Sequence, residues 1–211
     1  NSSDSDENCI TGQLDYNINL LERTPIPVHH GKALLNKDTI LITESPMFQN
    51  FDFSNENAYQ IGVHQNCQVT TNRLVYPQLI DTSDQNKMVH QIFAASLDIG
   101  GYSSKTAANL KLLDDILRIE YKLIILAAWE NSLMYPNHPG SNKLVLSLLG
   151  SGSFSNPIPT ICSAIQANKD LIVLSGLDVY IPCFADSIYT KVLPCLEGVV
   201  KETKGLFIDA K

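Results

Sequence analysis

Gly150, Ser151, Gly152, Ser153, Phe154, Ser155 and Asn156 separate an apolar run from an amphipathic segment in the string LVLSLLGSGSFSNPIPTICSAI. Glycines one residue apart let the backbone take positive φ and let a ligand approach where a Cβ would stand. A helix that starts directly after them adds unpaired N–H groups and the positive end of its dipole. Together these features form a receptor for phosphate or pyrophosphate that needs no side-chain charge. A tight strand-to-helix turn without a ligand accounts for the same glycines, because Gly-x-Gly is a short signal. A Walker loop is excluded, since no lysine lies between Lys143 and Lys169. A dinucleotide fingerprint wants Gly or Ala at Ser155 and an acidic residue about 20 residues on, where Asp178 stands. That reading is weakened, not eliminated.

The bulk of the chain sets limits on such a site. With 211 residues it suits one domain large enough for a core and a ligand cleft. The 44% hydrophobic and 18% charged content is that of an ordinary soluble globule. The net charge of −7 argues against a nucleic-acid groove, which needs a concentrated Lys/Arg face. It does not argue against one small anion held by backbone. No apolar run approaches the roughly 20 residues of a membrane helix, so no membrane partner is expected. The opening NSSDSDENC is polar and acidic and is not a secretory signal as it stands. Residues 1–23 are therefore expected to be a tail or first element, and 24–211 a single domain. Five cysteines without a C-x-x-C point to reduced, mostly buried thiols in a cytosol-like compartment.

The elements that must position the loop follow from the apolar spacing. TPIPVHHG reads as a loop, and DTILITES as a short strand bounded by Asp38 and Pro46. PMFQNFDFSNENAYQ has no clear period and reads as a long ordered loop. MVHQIFAASLDIGGY suggests a buried strand ending near Ser96, then a turn at Gly100-Gly101. The long segment after Ser104 is a helix capped by that serine. Leu110, Leu113, Leu117, Tyr121, Ile124 and Ala128 form its inner face, and Lys111, Asp115, Arg118 and Lys122 its solvated one. Residues 143–149 read as strand and 157–168 as helix, with Asn156 as N-cap, Pro157 at the first helical position and Ile158, Ile161, Cys162 and Ile165 inside. LIVLSGLDVY reads as another strand, and the last thirty residues as helix interrupted or restarted at Pro194. Strand and helix thus alternate with short connections, the pattern of an α/β sheet covered by helices with ligands at the strands' carboxyl ends.

The loop and its flanks resemble the strand, phosphate loop and helix of macrodomains, closest to the poly(ADP-ribose) glycohydrolase-like branch. There a pattern such as L-T-L-x-G-G-G-x-F-G-N-P precedes a helix. Gly150, Gly152, Phe154, Asn156 and Pro157 fall on it, while Ser151 and Ser155 replace glycines. VHQIFAASLDIGGY and LRIEYKLIILAAWENS are similar to the family's preceding strand and helix, so the likeness runs from about Met88 to Tyr180. It implies a three-layer α/β/α fold with a mixed central sheet and a pocket for ADP-ribose or an ADP-ribosylated protein. The diphosphate would lie on the N–H groups of Ser151 to Ser155, with Phe154 beside the distal ribose. The family's three glycines followed by Gln-Glu-Glu have no counterpart string here. Their place falls after Ile42, where Glu44, Asp52 and Glu56 stand.

Hydrolysis at the distal ribose needs a carboxylate to steer water or protonate the leaving group. Glu44, Asp52, Glu56, Asp98 and Asp178 are the candidates, each read as lying on a strand-end loop at the edge of Gly150. For Asp98 and Asp178 a surface or turn role is the competing explanation. Tyr180 would stack on adenine or be buried. His29-His30 reads as a solvated pair, no third ligand having metal-site spacing, so no metal is expected. His64 and His90 read as hydrogen-bonded near the core, Cys162 as buried and unreactive, and Trp129 as packing. The expectation is a cytoplasmic monomeric ADP-ribosyl hydrolase without a cofactor, with an ADP-ribose reader as the alternative. Secretion into a host cytosol is compatible with it.

Overall fold

A computed structural model describes residues 28–29, 32–33, 59, 61–69, 88–97, 99 and 105–208. The chain is α/β: six strands and four helices occur among these residues. Strands β1 (Val28–His29) and β2 (Lys32–Ala33) pair antiparallel, so part of the expected TPIPVHHG loop is a small ladder. Strands β3 (Gly62–Gln68) and β4 (Met88–Phe93) also pair antiparallel. The third pair, β5 (Lys143–Val145) and β6 (Asp178–Tyr180), is parallel. The described strands thus form three two-stranded sheets rather than one mixed sheet. The strand expected at 39–43, the Phe-rich loop over most of its length, residues 1–23 and the Gly100-Gly101 turn lie outside the described residues.

β3 was not legible because its sequence, GVHQNCQ, is rich in amides and lacks apolar alternation. Its register shifts between His64 and Cys67, where Asn66 takes φ +56°. Asparagine tolerates this left-handed region better than most side chains. β4 is half-exposed rather than buried, and Val89 stands on its open side. His64 meets Phe93 across the pair, ring edge to face, at 4.6 Å.

Helix α1 (Ala107–Met134) is the scaffold. Its N-cap is Thr106, two residues after the expected Ser104: the threonine Oγ1 accepts the Asn109 N–H at 3.2 Å. Leu113, Leu117, Tyr121 and Ile125 are fully buried, with Ile119, Ile124 and Ala128 close behind. Lys111 and Asp115 form an i,i+4 ion pair at 2.6 Å on the outer face, a contact contributing roughly 0.3–0.5 kcal/mol. Trp129 packs against the core, as expected.

From β5 the chain enters α2 (Ile158–Gln166), α3 (Lys169–Ser175), β6 and α4 (Asp186–Glu202). The stretch LIVLS, read as strand, is therefore helical. Its apolar side chains misled because Val173 and Leu174 are exposed and only Ile172 is buried. Gly176 ends α3 at φ +63°, the left-handed stop that glycine adopts most readily. Pro194 neither interrupts nor restarts α4, which runs through it with the proline on the exposed side. Helix α2 packs against both α1 and α4, and Ile158, Ile161, Ala164 and Ile165 fill the space between. Asn168 ties this layer together: buried, it donates to the carbonyls of Arg118 at 3.0 Å and Ala164 at 2.9 Å.

Tyr121 joins the scaffold to the chain after β5. Its hydroxyl donates to the Ser147 carbonyl and accepts the Leu149 N–H, both at 3.0 Å. Burial pushes the phenol pKa upward, so it stays a neutral donor and acceptor. Tyr121→Phe keeps the ring but leaves two inner backbone groups unpaired, and should destabilise the fold by roughly 1–3 kcal/mol. Equilibrium urea unfolding measures this; an unchanged midpoint would show that the hydroxyl does not hold the Ser147–Leu149 segment.

Candidate functional site

Beyond Leu149 the chain turns sharply, and one residue makes the turn possible. Gly150 has φ +76°. A Cβ placed on it would collide with the Asn156 side chain and stand 2.8 Å from the Ser96 Cβ. The space is occupied because Asn156 folds back over the loop. Its N–H donates to the Gly150 carbonyl at 2.9 Å, and its Nδ2 donates to the Ser96 Oγ. Asn156 and Ser96 are 4% and 8% exposed, so this polar pair is sealed under the loop. Asn156 is therefore not the N-cap of α2. Pro157 holds that position without a side-chain bond, and Ile158 is the first helical residue. The asparagine was misread because its side chain serves the inner face of the loop instead of the helix end.

The loop consumes part of its own donor capacity. Ser151 N–H reaches the Leu148 carbonyl at 3.1 Å and Ser155 N–H the Gly152 carbonyl at 2.9 Å. The expectation that all five N–H groups from Ser151 to Ser155 face a ligand is corrected accordingly. The N–H groups of Gly152 and Ser153 donate to no backbone carbonyl among the described residues, and both residues are exposed. Gly152 differs from Gly150: a Cβ there would meet nothing within 4 Å. Ser155 takes φ +52°, a left-handed conformation at a position where the resembling pattern has glycine. Phe154 is half-buried. Helix α2 begins directly behind the loop. The N–H groups of Ile158 and Thr160 belong to its first turn and have no intrahelical acceptor, and Pro159 has no N–H.

Of the other expected residues, Tyr180 lies at the right end. It closes β6 at the carboxyl edge, its carbonyl accepts the Leu146 N–H at 2.8 Å, and its side chain is exposed, not buried. Asp178 lies at the wrong end. It opens β6 opposite Lys143, and its carboxylate accepts from Asn142 Nδ2 at 3.0 Å. The strand expected before it is helix α3, so Asp178 stands at the amino edge, across the pair from Gly150. Glu44, Asp52, Glu56 and Asp98 lie outside the described residues. An open groove of about 500 Å³ also occupies the amino edge, between His138, Asn142 and Gly176. It shares no residue with the Gly150–Asn156 loop. His29 falls in β1, and His90 packs edge-on against Tyr135 at 6.0 Å. No group of three or more His, Cys, Asp or Glu side chains suited to a metal occurs among the described residues.

One acidic residue escaped the sequence reading. Glu120 sits on α1 in register with Leu113, Leu117 and Ile124, on the face that enters the core. An acid on that stripe was the available signal. Its carboxyl accepts the Ala95 N–H, one residue from the Ser96 that holds Asn156, and its Oε2 is buried without a partner among the described residues. Burial raises its pKa from 4.5 to about 8, against a smaller lowering by the Ala95 hydrogen bond. The group is thus mostly protonated at pH 7.

Searches against protein-family models, curated proteins and solved structures find no match to this chain.

The two loop glycines should separate cleanly. Gly150→Ala combines left-handed strain with a collision and should cost roughly 2–5 kcal/mol. Gly152→Ala should stay within about 0.5 kcal/mol of wild type. Urea midpoints that fall equally for both would contradict the division of roles. Glu120 gives a pH signature. The native carboxyl holds its proton up to about pH 8 while the unfolded one releases it near 4.5. Its stabilisation is therefore complete below the lower value and is lost as pH rises to the upper one, at up to roughly 1.4 kcal/mol per pH unit. Glu120→Gln should flatten that decline; an identical slope in wild type and variant between pH 5 and 8 would exclude it.

Proposed function

We propose that this chain is a macrodomain of the poly(ADP-ribose) glycohydrolase-like branch that binds ADP-ribose and releases it from modified proteins. The observation carrying this reading is the Gly150–Asn156 turn. Gly150 supplies the left-handed corner, and Gly152 leaves the outer face open to a ligand. The diphosphate would take the N–H groups of Gly152 and Ser153, backed by the first turn of α2. These donors carry no formal charge, which suits an anion site on a chain of net charge −7. Phe154 is half-buried in the same turn, and Tyr180 is exposed at the same edge. In this reading Phe154 packs on the distal ribose and Tyr180 on the adenine.

The chemical step is hydrolysis of the bond between the distal ribose and the modified side chain. A carboxylate activates the water or protonates the leaving oxygen or nitrogen. Asp98 follows β4 in the chain, and Glu44, Asp52 and Glu56 follow the segment read as a strand; these four carry the catalytic assignment. Asp178 leaves it, because it stands at the amino edge of β5 and β6.

Calorimetry with ADP-ribose and AMP tests binding. Gly152→Val should lose ADP-ribose at least tenfold while unfolding like wild type, and Phe154→Ala should weaken ADP-ribose more than AMP. Unchanged affinity in a folded Gly152→Val variant would remove the phosphate-loop reading. Turnover is read as ADP-ribose released from Asp/Glu-, Ser- or Arg-linked protein. One of Asp98→Asn, Glu44→Gln, Asp52→Asn or Glu56→Gln should lower release roughly 100- to 10,000-fold and leave binding intact. Tight binding with no release from any linkage would make the chain a reader.

A further inference from the structure

Three of the five cysteines gather where α2, α4 and the segment joining β6 to α4 meet. Cys162 lies on the inner stripe of α2 and is 1% exposed. Cys195, half-buried, sits on α4 beside Leu196 and in register with Val192 and Val199. Cys183, also half-buried, packs against the same core from the connecting segment. The Cys162 thiol neighbours that of Cys195 across the α2–α4 contact. All three are free thiols. The expectation of mostly buried cysteines therefore holds for Cys162 alone among the four described.

We propose that Cys162 and Cys195 form a redox pair which peroxide closes into a disulfide, stapling α2 to α4 behind the Gly150–Asn156 loop. The proposal does not depend on the ADP-ribose reading. Exposure orders the two steps. Cys195, the accessible partner, meets the peroxide: its thiol and one hydrogen peroxide give a sulfenic acid and one water. The Cys162 thiol then attacks the Cys195 sulfur. The S–O bond breaks, an S–S bond forms, and hydroxide leaves with the Cys162 proton as a second water. Desolvation pushes the Cys162 thiol up to about 12, which keeps it from reacting with peroxide first and makes the second step slow. The two cysteines are already neighbours across the α2–α4 contact, so closure draws in a contact that exists rather than building a new one.

The staple would encircle α3 and β6 and fix α2, whose amino end begins at the loop. It restricts the unfolded chain and removes relative motion of α2 and α4. A stoichiometric hydrogen peroxide treatment of the full chain over several hours tests it, followed by alkylation of remaining thiols and non-reducing peptide mapping. The expected result is one Cys162–Cys195 linkage and a Tm raised by roughly 5 °C or more, reversed by dithiothreitol. Cys195→Ser should remove both effects, and Cys183→Ser should leave both in place. Three results would overturn the proposal: Cys195 driven to sulfinic acid while Cys162 stays alkylatable, a linkage that uses Cys183, or no linkage at all. Wild-type mapping decides the matter even if a serine variant fails to fold.

Discussion

The loop between β5 and α2 depends on one constraint: the Asn156 side chain occupies the volume that a Cβ on residue 150 would need. Asn156 reaches that position because its own N–H closes onto the Gly150 carbonyl and its amide reaches Ser96. The loop is thereby tied to the chain just past β4, sixty residues earlier in the sequence. A residue that looks like a helix cap is instead the bolt between two strand ends. Buried polar pairs of this kind specify one arrangement, since any slip leaves donors and acceptors unpaired in a dry interior.

Helix α1 supplies the other half of the support, through neighbouring residues with opposite needs. Tyr121 bridges Ser147 and Leu149 through one hydroxyl, and burial keeps it neutral. Glu120 turns to the Ala95 peptide and remains mostly protonated for the same reason. The strand ends before and after α1 are thus both pinned by α1 side chains, one at each edge of the Ser96–Asn156 contact. Desolvation is the common cause: it makes the phenol a fixed hydrogen-bond relay and leaves the carboxyl a group whose charge the fold resists.

What could be read from the sequence follows the strength of local periodicity. The 28-residue α1 was legible because its apolar spacing repeats across many turns, and α2 because a proline and a dense stripe mark it. α3 was lost because seven residues are too few to distinguish a helical stripe from a strand run, and two of its apolar side chains face outward. β3 was lost because its pairing with β4 is carried by backbone, with amides where alternation should be. At the site, the sequence marks Gly150 and Gly152 alike, and their roles could not be told apart. That difference lies in φ and in what stands behind each Cα. Asp178 was misplaced as a consequence of α3: once helix replaces strand, the aspartate begins β6 instead of following it.

The two glycines show how one short motif divides between folding and binding. Gly150 answers to the interior, through its left-handed φ and the amide packed behind it. Gly152 accepts the Ser155 N–H, but nothing within the fold excludes a side chain there, since its missing Cβ faces open space. A glycine where the fold does not require one is an entropic liability of roughly 0.5–1 kcal/mol, which close approach of a ligand, as in the ADP-ribose proposal, would offset. Ser155 points the same way from the opposite side. It holds a left-handed conformation that disfavours any side chain, yet its N–H closes the turn onto Gly152. The strain is confined to the residue that shapes the exposed face, next to donors left unspent by the loop's own hydrogen bonds. A turn needed only to connect β5 to α2 would require Gly150 and Asn156; the exposed glycine and unspent N–H groups between them are what the proposed diphosphate site would use.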